Sequence, residues 1–226
     1  MESVSYALYL TAISVAFLHT VLGPDHYLPF IVLSKARGWS AAKTYWITIL
    51  CGVGHVLSSI VLGLIGIFFG VAIQKLTSIE AYRGDIASWL IIIFGLGYFI
   101  WGIIHSRKKA AHHHLLNVNG HHIHNEDLES GNINITPWVL FIIFVLGPCE
   151  PLIPLFIYPA AHGSMLDVVM VTGIFSIITI STMLGLVIAG RKGLELISFK
   201  KLQQYMHAVA GMVIFLCGIS IQFLGL

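Results

Sequence analysis

Residues 145–158 read VLGPCEPLIPLFIY, and residues 21–33 read VLGPDHYLPFIVL, the same pattern with one residue fewer. Each is an apolar run broken at a Gly-Pro pair, Gly23-Pro24 and Gly147-Pro148. Proline removes a backbone donor and disturbs the preceding turn, so carbonyls are freed that need a partner. In lipid such a break is tolerated only where the backbone is packed in protein or lines a polar cavity. Both breaks run straight into ionisable or thiol residues, Asp25-His26 in one and Cys149-Glu150 in the other. That coincidence points to a site.

The rest of the chain places the breaks in a membrane. Of its 226 residues 57% are hydrophobic and only 10% charged, far from the roughly 25% charged of soluble domains. Mean hydropathy is +0.89. Apolar stretches at 4–33, 45–73, 86–104, 138–160, 168–189 and 205–226 are each long enough to cross a hydrocarbon core, which takes about 20 helical residues. They do not alternate as barrel strands would. The expected fold is an all-α integral membrane protein of six transmembrane helices, with helices one and four interrupted at Gly-Pro. No signal-peptide pattern precedes the first stretch, which is expected to stay as a helix. Cys51, Cys149 and Cys217 all fall in apolar segments, an odd set that builds no disulfide framework.

The halves repeat in order. Beyond the two breaks, SIVLGLIG from Ser59 resembles STMLGLVIAG from Ser181, and Gly95 and Gly102 have the spacing of Gly211 and Gly218. Three spans per half make the repeat inverted, a layout in which substrate sites sit at the midplane beside broken helices. The divisions are 1–109 for the first three-helix repeat, 110–135 for a histidine-rich loop and 136–226 for the second repeat. Ten of the twelve lysines and arginines fall on one side, which puts that loop in the cytoplasm and both termini outside a cell (inner) membrane.

Asp25 and Glu150 are the carboxylates that fall inside these spans, where a charge at the bilayer centre costs roughly 2.5–3.5 kcal/mol and is usually paired and functional. His19 lies two helical turns before His26, and imidazole with carboxylate suits a divalent transition metal. His55, in GVGHVLSS, offers a further ligand from the next helix, with Ser58 or Ser59 behind it. Cys51 reads as packing. Cys149 reads either as a soft ligand or as a small residue at a tight crossing, and Glu150 as a ligand or proton-coupled carboxylate. The expected metal set is therefore His19, Asp25, His26, His55, Cys149 and Glu150. A second tract, His112, His113, His114, His121, His122 and His124, reads as a capture loop.

His19-Thr-Val-Leu-Gly-Pro-Asp25-His26 resembles the signature of the nickel/cobalt transporter superfamily, and GVGHVLSS its Gly-His-Ser element. The layout is similar to the smaller branch that includes urease-accessory membrane proteins and nickel/cobalt exporters. The family spacing has four residues between histidine and aspartate; here there are five. The resemblance implies transport of a divalent metal, nickel or cobalt, by alternating access, with the ion as substrate, no organic cofactor and no enzymatic activity. Expected partners are the ion, the bilayer and a homo-oligomer or metalloenzyme-maturation protein, but not nucleic acid. LGPCEPLIPLF also resembles the Pro-Cys element of cytochrome-c-biogenesis and disulfide-reductant membrane proteins, which need one reactive cysteine per half; Asp25 stands where the first would be. The alternatives to metal transport are thus a thiol-redox protein, a small-anion (sulfite-type) transporter on the same fold, and a metal-loading accessory.

Overall fold

The computed structural model describes residues 2–116, 135–196 and 203–224. These residues are helical nearly throughout. The elements are α1 (Glu2–Leu22), a 3-10 turn at Pro24–His26, α2 (Leu28–Ala36), α3 (Ala41–Phe68), α4 (Ile73–Leu116), α5 (Ile135–Leu146), α6 (Leu152–Ala161), α7 (Met165–Leu196), a 3-10 turn at Gln203–Tyr205, and α8 (Met206–Leu224). Five stretches are long and apolar enough to cross a membrane: Ser5–Leu22, Ala41–Phe68, Ile73–Arg107, Met165–Leu196 and Gln203–Leu224. The apolar parts of α5 and α6 are shorter and flank the second break. Large apolar side chains such as Phe17, Leu50, Leu57, Ile93 and Ile177 face outward, as a lipid-facing surface requires.

Local chemistry sets the ends. Ser40 caps α3 by accepting the Lys43 amide at 3.2 Å. Gly70, with φ of 61°, takes the left-handed position that closes it. At the first break the Gly23 amide still reaches His19 O, Pro24 has no donor to continue the helix, and the His26 amide turns back to Gly23 O at 3.1 Å. Helix α4 is 44 residues long, far beyond the 86–104 span expected. Its first turns carry Lys75, Glu80, Arg83 and Asp85, charges that in the sequence look like a loop. His112, His113 and His114 lie in its last turns; His121, His122 and His124 lie outside the described residues.

Helices α4 and α8 pack along an antiparallel seam of glycines. A Cβ on Gly95 would collide with the backbone of Phe215, and one on Gly211 with the backbone of Phe99; Gly102 meets Ala208 and Gly218 meets Ile92 in the same way. Two apolar clusters form the interior. Phe30, Leu33, Cys51, Phe144, Met183 and Ile214 build one, and Ala12, Ala16, Val56, Cys149, Val171 and Phe175 the other. The tip of α1 is tied to α7 by Ser5 and Tyr9, which both donate to the Asp167 carboxylate.

Candidate functional site

The first break delivers its two ionisable residues to a cavity of about 480 Å³ between α1, α3, α4, α5 and α8. His19 comes from the last turn of α1, His26 from the 3-10 turn and His55 from the middle of α3. The three rings converge. His19 and His26 have centroids 4.8 Å apart and His26 and His55 5.1 Å, meeting edge to face in both cases. One ring nitrogen of each histidine lies within 4.8 Å of the others, and all three Nε2 atoms are buried without a hydrogen-bond partner among the described residues.

The opposite edges of His26 and His55 are held. His26 Nδ1 lies 3.0 Å from Asp25 Oδ1 and 3.2 Å from Gly23 O. Both neighbours are acceptors, so Nδ1 carries the proton and donates, which leaves the Nε2 lone pair free. His55 Nδ1 lies 3.3 Å from the carbonyl of Phe144 on α5 and has the same tautomer. Gly23 sits directly under the His26 ring: a Cβ there would come within 2.5 Å of Nδ1. The site therefore needs glycine at that point for close approach rather than for backbone freedom, since φ is −85°.

Of the six residues expected to line the site, Asp25, His19, His26, His55 and Glu150 reach the cavity. Cys149 does not line it; its side chain is fully buried in the Ala12–Phe175 cluster. Ser58 and Ser59 are engaged elsewhere too. Ser59 Oγ accepts the Cys149 amide at 3.2 Å, and Ser58 Oγ accepts from Arg83 at 2.7 Å.

Arg83 and Glu80 are the residues sequence reasoning missed. Glu80 is fully buried on α4 and pairs with Arg83 Nη1 at 2.7 Å. Arg83 Nη2 then donates to Val145 O at 2.8 Å and to Gly147 O at 3.4 Å. The carbonyls freed by Gly147-Pro148 thus receive a guanidinium from a neighbouring helix, a partner of the kind such a break demands. The i,i+3 spacing of Glu80 and Arg83 was the available signal, hidden because both fell in a presumed loop. Asp25 and Glu150 are therefore not the only carboxylates on the membrane-length helices: Glu80 lies on the stretch Ile73–Arg107.

Residues 29–220 match the family described as cytochrome C biogenesis protein transmembrane region. No curated protein and no solved structure matches the chain. The match overturns the resemblance to the nickel/cobalt transporter superfamily and, with it, nickel or cobalt transport as the activity. That resemblance rested on about twenty residues around two histidine motifs, with the aspartate one position out of register. The match instead runs through the helical body of the chain. It begins beyond His26, so His19, Asp25 and His26 lie outside the matched segment while His55 and Cys149 lie within it.

Proposed function

Because the chain belongs to the family of cytochrome c biogenesis protein transmembrane regions, we propose that it is a membrane thiol-redox protein passing reducing equivalents across the bilayer through Cys149. The observation that carries this reading is the seat of Cys149. It is the cysteine that follows a Gly-Pro break, whereas Cys51 and Cys217 lie inside continuous helices. Cys51 is two turns up α3 from Ser59, the residue bound to the Cys149 amide, or about 12 Å along the axis. A disulfide spans a Cα separation of only about 4.4–6.8 Å.

In this reading the exchange draws its other thiols from partner proteins. The Cys149 thiolate attacks the disulfide of an acceptor protein, forming a mixed disulfide, and the displaced sulfur leaves as a thiolate that takes a proton. A donor dithiol protein then attacks Cys149 Sγ, releasing the acceptor as a dithiol. Its second thiol displaces Cys149 and closes the donor's disulfide. Two electrons and two protons pass from donor to acceptor. Trapping tests this in membrane vesicles: a thioredoxin-fold bait lacking its resolving cysteine should form a mixed disulfide with the native chain and none with Cys149→Ser. A Cys149 that resists alkylation and bait alike under reducing and oxidising conditions would sink the reading.

We propose further that α1 with α2, and α5 with α6, each make one broken crossing, giving six crossings in a 3+3 inverted repeat. The reciprocal contacts of Gly95 with Phe215 and Gly211 with Phe99 support this. The lysine and arginine distribution supports termini outside and the histidine-rich segment inside.

A further inference from the structure

We infer that His19, His26 and His55 bind one transition-metal ion through their Nε2 atoms, and that the site takes monovalent copper. This goes beyond thiol exchange at Cys149 and does not rest on it. Buried polar atoms in folded proteins almost always have partners, and each exception needs a reason. Here three exceptions of one chemical kind converge from three separate backbone elements. Ring packing alone does not explain why three rings converge with one nitrogen of each within 4.8 Å of the others while all three Nε2 atoms stay unbonded.

The outer edges of two of the rings match the arrangement around bound metals. A metal-ligating histidine gives its other ring N–H to a carboxylate or a backbone carbonyl, which fixes the tautomer and aims the lone pair. His26 does this with Asp25 and His55 with Phe144 O. Asp25 is thus the orienting residue for His26, with its Oδ1 occupied on the Nδ1 side.

Imidazole suits zinc, copper, iron and nickel. Three converging nitrogens complete the trigonal coordination of monovalent copper, whereas zinc is almost always four-coordinate and would have to recruit a further donor. The Cys149 thiol lies in a different cluster and is no candidate ligand.

The test is copper and zinc titration of the full chain in nanodiscs, with bound metal counted by elemental analysis. A chelator competition under reducing conditions then ranks affinity. The histidine-rich segment adds the same background to every variant, so the readout is the difference between variants. The native chain should hold one more copper ion than His55→Ala or His26→Ala, and X-ray absorption should show a nitrogen-only sphere for that ion. Asp25→Asn should keep the stoichiometry and lower affinity by about 10- to 100-fold, the usual consequence of losing an orienting partner. Cys149→Ser should leave the ion in place. Asp25→Asn also covers the case in which a histidine variant misfolds, since it changes no volume. Equal metal content in the native chain and both histidine variants, or loss of the ion in Cys149→Ser, would overturn the site. Zinc outcompeting copper would overturn the metal assignment.

Discussion

Single side chains carry most of the polar architecture inside this apolar body. Arg83 is the sharpest case, because it serves a buried carboxylate and two freed carbonyls together. Removing it leaves Glu80 buried and unpaired, a loss of about 3–5 kcal/mol. Arg83→Met should therefore lower the unfolding midpoint markedly in detergent, and Glu80→Gln combined with Arg83→Met should recover part of the loss; additive losses in that double-mutant cycle would contradict the pairing. Gly23→Ala meets no backbone strain at φ −85°, but its Cβ would lie 2.5 Å from His26 Nδ1 and 2.9 Å from Asp25 Oδ1, so the buried ring has to shift. It should cut copper affinity at least tenfold; native-like affinity in the titration above would show that the ring is free to move. The histidines were legible in the sequence and the arginine was not. An imidazole in an apolar run stands out by contrast, whereas Glu80 and Arg83 sit among Lys75, Gln74 and Asp85, where charge reads as solvent exposure. The seven-residue spacing of His19 and His26 suggested two turns of one helix face, yet the chain turns at Gly23-Pro24 and the rings meet across that turn.

At the level of elements, the close α4–α8 seam rests on glycines rather than on complementary large side chains. Between helices in lipid, close backbone approach replaces the hydrophobic driving force available in water. Gly211→Leu and Gly95→Leu should both unseat the pair and reduce the yield of monodisperse protein, while Gly97→Leu on the open face of α4 should be tolerated, since nothing lies within 4 Å of a Cβ there. Size-exclusion profiles of the three variants check this, and equal profiles would remove the seam from the account. The breaks in α1–α2 and α5–α6 were plain from Gly-Pro in the sequence. The length of α4 was not, because hydropathy marks where a helix is apolar and not where its hydrogen bonding stops. Helix α4 rises about 66 Å over its 44 residues, roughly twice the hydrocarbon thickness, so much of it must stand outside the bilayer.

Among the described residues, five membrane-length stretches and the short helices α2, α5 and α6 form one bundle, and the identity of that bundle was the hardest thing to read. The eight-residue motif from His19 to His26 outweighed the Pro-Cys element in LGPCEPLIPLF, which resembles the family matched over 29–220 but lacks a first-half cysteine, since Asp25 stands at that position. The proposed orientation has a direct check. A single accessible cysteine at Asn119 should label only from the cytoplasmic face, and one at Gly163 only from the opposite face; labelling of both from one side would exclude the layout. The two Gly-Pro sites also differ in what holds them. The first is secured by its own neighbours, His26 on Gly23 O and Tyr27 on Val21 O, whereas the second is held by Arg83 of α4 and Ser59 of α3. Amide exchange in Arg83→Met should accelerate around 147–152 and stay unchanged around 23–27. Mechanically, the protein has one joint that is self-locked and one that is bolted from outside by two neighbouring helices, and the bolted joint is the one that carries Cys149.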